Sequence, residues 1–346
     1  MKVLLTADPE IPVPPKFYGG IERIVDGLAT ELRFKGHTVG LVANSESTSR
    51  VDYFRPWTSN EPQNRLTHIQ NGLVLRQAAG EFHPQVVHSF SRLGYLLPLL
   101  PSRLPKLMSY QRHTGGRQIK IAARLAGKSL SFTGCSQFIV NMGKPWGSEW
   151  QVVPNFVDID FYSFNPEVAS DAPLVFLSRL ERIKGVDLAI EIARKSNRRL
   201  IIAGNRVNTP EGEQYWKSEV EPNIDRDGIQ CVGPIDDEQK KKLLRNAAAL
   251  VVPIQWDEPF GIVFVEALAC GTPVISCRRG AVPEIVRDGV EGFLITDVES
   301  GVRAVKQLNS IDRANCRKRA ESQFSRKVVV SRYDAIYHQM TNCTQI

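Results

Sequence analysis

Two common glycine-rich phosphate fingerprints are missing from this chain. It has no Gly-x-Gly-x-x-Gly and no Gly-x-x-x-x-Gly-Lys-Ser/Thr, so neither dinucleotide nor P-loop binding is indicated. None of its six cysteines (Cys135, Cys231, Cys270, Cys277, Cys316 and Cys343) forms a Cys-x-x-Cys pair. Several sit in apolar runs, where cysteine behaves as a small buried hydrophobe. They read as reduced and structural, which points to the cytosol. No apolar run reaches membrane-spanning length: residues 93–107 are broken by Pro98, Pro101, Arg103 and Pro105. The opening Met1–Pro9 has too short an apolar stretch for a signal peptide. There is no internal repeat and no low-complexity tract. No His/Cys/Asp cluster has zinc-ligand spacing. Asp158-Ile159-Asp160 spells a metal-binding Asp-x-Asp, but it follows Pro154-Asn155 in a linker rather than ending a strand. The expectation is no essential metal.

What is present is ample for two domains. The chain has 346 residues, of which 42% are hydrophobic and 23% charged, the balance of a globular protein. Its net charge of +7 suits an anionic partner, whether a phosphorylated ligand, a nucleic acid or an anionic membrane surface. No aromatic platform or reading motif supports nucleic acid, and none is expected as a partner. Strand-like and helix-like segments alternate. Lys2–Thr6 reads as a strand and Gly20–Phe34 as an amphipathic helix, with Ile21, Ile24, Val25, Leu28 and Leu32 at helical spacing. Thr38–Ala43, Val86–Ser89, Lys106–Tyr110 and Leu130–Gly134 read as buried strands. The pattern restarts with strands near residues 173–178, 199–204, 250–253 and 273–276 and a helix over 186–196. This predicts an α/β protein with two doubly wound domains, residues 1–157 and 158–326. Residues 155–173 form the linker region, and residues 327–346 a final helix that packs back on the first domain. Ligands of such sheets lie at the carboxyl ends of the strands, so the predicted site is a cleft between two facing domains.

Several constellations stand at such positions. Glu258 and Glu266 bracket Pro-Phe-Gly-Ile-Val-Phe-Val, followed by Ala-Leu-Ala-Cys-Gly-Thr-Pro-Val-Ile. A carboxylate in the loop and another on the exposed side of the following helix would reach different hydroxyls of one elongated ligand. The plain alternative is a helix with one capping and one solvated acid. Arg179 and Lys184-Gly185 follow the first strand of the second half, where two cations can neutralise a diphosphate. Gly19-Gly20 opens the first long helix, leaving free N–H groups for an anion. His113 follows the strand Lys106–Tyr110, and His88, which ends another strand, competes with it. Arg117, Lys120, Arg124 and Lys128 are spaced for one helical face over 117–128, with Ile119, Ala122, Ala123 and Ala126 largely opposite. Such a face reads anionic lipid, or is simply a solvated helix surface.

Together these residues resemble glycosyltransferase family 4, retaining enzymes of the GT-B fold. The resemblance spans essentially the whole chain. It is carried by Gly19-Gly20, Arg179, Lys184-Gly185, Gly204, Gly233, Glu258-x7-Glu266, Gly271-Thr-Pro-Val and Val282-Pro-Glu284-Ile-Val. The opening from Pro15 to Arg23, with Tyr18-Gly19-Gly20, is similar to a bacterial branch using UDP-glucose. Two departures stand out: Gly280-Ala281 replaces a frequent Gly-Gly, and His113 sits in an Arg-His-Thr context. The resemblance implies that Arg179 and Lys184 hold the donor diphosphate, with backbone near Gly19 and Gly20. It implies that Glu266 binds the ribose and Glu258 the donor sugar, aided by backbone at Phe260, Gly261 and Ile262. It places Gly204 and Gly233 beside the base, and His113 on the acceptor side of the anomeric carbon. The implied reaction is metal-independent, cofactor-free hexosyl transfer from UDP-glucose to a glycan or lipid-linked glycan in cell-surface polysaccharide synthesis. It would occur in the cytoplasm, with peripheral contact to the inner membrane face through residues 117–128. The alternatives are a small-molecule transferase, acting on a pterin or natural product, and a sugar-nucleotide-binding protein without turnover.

Overall fold

The computed structural model describes residues 1–16, 19–60, 64–225 and 228–343. Tyr18 of the opening motif and the Cys343 side chain lie outside them. The chain divides into two compact units, Met1–Asn155 joined by the segment from Arg326, and Phe156–Ser325.

The first unit is built on seven strands: β1 (Lys2–Thr6), β2 (Thr38–Ala43), β3 (Tyr53–Pro56), β4 (Val86–Ser89), β5 (Lys106–Tyr110), β6 (Leu130–Gly134) and β7 (Trp150–Val152). All pair in parallel, in the order β3-β2-β1-β4-β5-β6-β7. The inner strands are runs such as Val86-Val87 and Val3-Leu4-Leu5, buried on both faces, as parallel sheets require. The helix Gly20–Phe34 turns Ile24, Val25, Leu28 and Leu32 inward and its polar side outward. Asn64 caps the next long helix by accepting from the backbone N–H groups of Leu66 and Thr67. The helix Arg326–Cys343 completes this unit. It buries Val329, Val330, Tyr333 and Tyr337, and its Asp334 pairs with Lys35 at 3.2 Å and His37 at 3.1 Å.

The second unit has six strands: β8 (Leu174–Leu177), β9 (Leu200–Ala203), β10 (Ile229–Gly233), β11 (Ala249–Val252), β12 (Val274–Cys277) and β13 (Gly292–Ile295). They are again all parallel, ordered β10-β9-β8-β11-β12-β13. Both sheets therefore reverse direction at their centre, between β1 and β4 in one and between β8 and β11 in the other. At such a reversal the connections leave to opposite sides and open a crevice at the carboxyl ends of the strands.

The segment 156–173 is not a loose connector. Phe156, Val157 and Tyr162 are buried, and the Val157 N–H donates to the Phe324 carbonyl at 2.9 Å. Of the cysteines, Cys135, Cys270, Cys277 and Cys316 are buried and Cys231 half-buried, all as free thiols. No helix among the described residues is long and apolar enough to cross a membrane.

Candidate functional site

In the second unit the switch point gathers the charged residues singled out above. Lys184 ends the short turn after β8, and its Nζ lies 2.6 Å from Glu258 Oε2 in the loop after β11. The same oxygen accepts from Trp256 Nε1 at 2.8 Å, and the Lys184 ammonium sits 4.9 Å above the Trp256 ring. Lys184 is only 7% exposed, so its charge is held by a carboxylate and an aromatic face rather than by water. Arg179 is half exposed and pairs with Glu181 at 2.7 Å. One cation of the expected diphosphate clamp is thus enclosed and the other open.

Glu266 corrects an expectation. It lies in the helix Ile262–Ala269, yet not on an exposed side: it is 7% exposed. Its Oε1 accepts from Tyr162 at 2.7 Å and from Lys240 at 2.5 Å. The helix Ile262–Ala269 is apolar nearly all round, so its one acid is enclosed with a matching cation. Burial and the Glu266 carboxylate push the Tyr162 phenol far above its ordinary pKa, keeping it a donor. Sequence reasoning missed Tyr162, Lys240 and Trp256. Only Trp256, two residues before Glu258, carried a local signal.

Glycines shape the same edge. Gly261 takes a left-handed conformation, φ 87°, at the N-cap of the helix, with buried Phe260 before it and Ile262 opening the first turn. Gly204 follows β9, and a Cβ there would overlap the Ser178 carbonyl. Its N–H donates to the Gly233 carbonyl at 2.9 Å.

In the first unit, Gly19 (φ 156°) precedes Gly20, which begins the helix. A Cβ on Gly19 would lie 2.6 Å from Pro15 Cβ and 2.9 Å from Glu22 Oε2. His113 follows β5, exposed, its ring 5.6 Å from that of Phe138. His88 is removed from the site candidates. It is fully buried, with Nδ1 2.6 Å from the Tyr337 hydroxyl and Nε2 2.6 Å from Ser109 Oγ. Burial pulls its pKa down to about 3, so it is a neutral core residue. The helix Arg117–Ala126 buries Ile119 and Ala122 and exposes Arg117, Lys120 and Arg124 together with Ile121 and Leu125. Asp158 and Asp160 form a local turn, the Asp160 N–H donating to Asp158 Oδ1 at 3.1 Å. Among the described residues no group of three or more His, Cys, Asp or Glu could hold a metal ion.

Comparison with known proteins follows the same division. The family model described as "Glycosyltransferase Family 4" matches residues 18–161, and that described as "Glycosyl transferases group 1" matches residues 160–323. A lipopolysaccharide 1,2-N-acetylglucosaminetransferase of Salmonella typhimurium is 26% identical over 175 residues, 46% of this chain and 46% of that protein. A D-inositol 3-phosphate glycosyltransferase of Thermobifida fusca is 33% identical over 132 residues, 35% of this chain and 30% of the relative. The chain thus matches less than half the length of these curated relatives. Among solved structures, sucrose-phosphate synthase from Thermosynechococcus elongatus shares the fold at a TM-score of 0.80 and 17% identity, covering 99% of both chains. HepE from Anabaena, solved with UDP-glucose, shares it at 0.73 and 21% identity, covering 98% of this chain and all (100%) of the other. With the two family models adjoining near residue 160 and two parallel-sheet units of the GT-B type, the chain belongs to glycosyltransferase family 4.

Proposed function

We propose that the protein is a retaining hexosyltransferase that takes glucose from UDP-glucose and places it on a hydroxyl of a glycan or lipid-linked glycan precursor, without a metal or other cofactor. The observation that carries this reading is the enclosed Lys184–Glu258 pair at the switch point of the second sheet. A carboxylate and an ammonium in contact can separate onto the two ends of a sugar diphosphate: Glu258 accepts from sugar hydroxyls while Lys184 meets phosphate. Arg179, open at the same edge, adds a second phosphate contact. As the glycosidic bond breaks, negative charge grows on the departing diphosphate, and fixed cations stabilise it most at that moment. The leaving phosphate takes the acceptor's proton on the face it departs from, so neither Glu258 nor Glu266 needs to move one.

Glu266, fixed by Tyr162 and Lys240, presents its remaining acceptor capacity to the ribose. The N–H groups at Phe260, Gly261 and Ile262 begin a helix, where a partial positive charge favours oxygen ligands. Gly204 and Gly233 flank the base; in the first unit, Gly19 and Gly20 open a helix whose N–H groups suit an anion, and His113 follows β5 on the acceptor side. The UDP-glucose bound by HepE supports this choice of donor. The exposed basic residues and Ile121 and Leu125 of the helix Arg117–Ala126 support peripheral contact with an anionic membrane from the cytoplasmic side.

A thermal-shift panel of nucleotide sugars tests the donor. UDP-glucose at a hundredfold over Kd should stabilise by about 2.7 kcal/mol. A larger shift with another sugar nucleotide replaces the donor, and no shift with any overturns the reading. Co-sedimentation with anionic and neutral liposomes tests the membrane contact, which equal binding to both rejects.

A further inference from the structure

The carboxyl edge of β1, β4 and β5 in the first unit carries a second polar constellation. Asp8 follows β1, Arg92 follows β4, and Gln111 and Arg112 follow β5. These strands are neighbours and flank the point where the sheet reverses. Arg112 donates to Asp8 Oδ2 at 2.5 Å, and Arg92 to Glu10 Oε1 at 2.6 Å. Glu22, in the first turn of the helix after β1, is 5% exposed and lies within electrostatic reach of Asp8, Glu10 and Arg112. Buried polar atoms in folded proteins nearly always find partners. Here four do not: Asp8 Oδ1, Arg92 Nε, and both Gln111 Oε1 and Gln111 Nε2. Asp8 itself is 9% exposed.

We propose that this edge is the acceptor subsite, and that it takes the vicinal hydroxyls of an uncharged sugar rather than a phosphorylated or otherwise anionic acceptor. The assignment as an acceptor subsite rests on the transferase reading above. The choice of ligand follows from two properties of the site. The unpaired atoms include two acceptors (Asp8 Oδ1, Gln111 Oε1) and two donors (Arg92 Nε, Gln111 Nε2), and a hydroxyl both gives and takes a hydrogen bond. The charge is already balanced: each guanidinium has its own carboxylate. A phosphate needs an unmatched cation, whereas both guanidinium groups described at this edge already hold a carboxylate. An uncharged polyol satisfies the idle atoms without disturbing either ion pair.

The test is saturation-transfer NMR on the full chain, with methyl glucoside, methyl galactoside and methyl mannoside as probes, each also as its 6-phosphate. At least one neutral hexoside should bind, about tenfold more tightly than its phosphate form. Tighter binding of the phosphates, or no binding of any neutral hexoside, overturns the proposal. Glu22→Gln and Gln111→Leu should each weaken the hexoside about tenfold while UDP affinity, carried by the second unit, stays as in wild type. Gln111→Leu should also raise the unfolding midpoint, since it removes two unpaired polar atoms, so lost binding would not reflect lost structure. Unchanged hexoside affinity in both variants overturns the assignment. Loss of UDP binding with hexoside binding retained would instead count against the donor reading alone.

Discussion

The two sheets share a strand-order reversal yet furnish their switch points in opposite ways. In the second unit, the acids at the switch point have matched cations: Lys184 on Glu258, Lys240 on Glu266. In the first, ion pairs coexist with polar atoms that have no partner at all. Paired charges fix side chains in place before a ligand arrives, at little standing cost. Unpaired ones destabilise the free protein and are relieved only by a ligand. A third buried polar group, His88 with Ser109 and Tyr337, shows the limiting case: both ring nitrogens are satisfied, it is closed to solvent, and it serves packing alone.

Breaking the paired side gives the largest expected effect. Lys184→Ala leaves Glu258 enclosed without its cation and should cost about 3 kcal/mol in urea unfolding. In the proposed reaction it should also lower kcat/KM for the donor by about a hundredfold or more. Adding Glu258→Gln should restore the stability and not the activity. If the double variant is as unstable as the single one, the pair is not the source of the loss.

Glu22, beside the unpaired atoms of the first unit, sharpens the contrast through pH. Burial is the main cause that lifts its pKa from 4.5 to about 7, with Asp8 and Glu10 adding to the rise and Arg112 opposing it. Between those values the folded state keeps a proton that the unfolded chain releases, so stability falls as pH rises through the window. The loss levels off above about pH 7 at about 3 kcal/mol. Glu22→Gln should remove that fall, and the difference between variant and wild-type unfolding free energies should grow from pH 4.5 to pH 7.5. A flat difference would mean Glu22 titrates normally.

Tyr162→Phe removes one of two donors to Glu266 and should cost about 1.5 kcal/mol, with a raised donor KM. The smallest effect has the opposite sign: Gln111→Leu should stabilise by about 1 kcal/mol. A destabilised Gln111→Leu would erase the contrast between the two sides.

The sequence made the interior strands legible and left the borders unread. β1, β2, β4, β5, β6, β8, β9, β11 and β12 follow apolar runs buried on both faces. The four strands that escaped, β3, β7, β10 and β13, are the edges of the two sheets. An edge strand is half solvated, so Tyr-Phe-Arg-Pro at 53–56 alternates in burial and lacks a continuous apolar signature. The site divides in the same manner. Glu258, Glu266 and Lys184 stood out because their local spelling is dense. Tyr162 was not legible, because it reaches Glu266 across 104 residues of sequence and only the fold makes them neighbours. The burial of Glu266 was misread for the same reason: its cation, Lys240, comes from another helix. Asp8 and Gln111 have no spelling at all; their meaning lies in the atoms left without partners.

The return of the chain to the first unit after residue 325 sets an order of events during synthesis. Residues 156–325 are contiguous and can close as soon as they leave the ribosome. The strands of the first sheet emerge earlier, but the helix that completes their unit, from Arg326, comes last. Until Tyr333 and Tyr337 arrive, His88 and Ser109 lack their hydroxyl partners and their apolar surroundings lie open. Half of the protein therefore waits, unfinished, while the half made after it folds. That interval is when a chaperone would find it, and a cut at residue 326 would make it permanent.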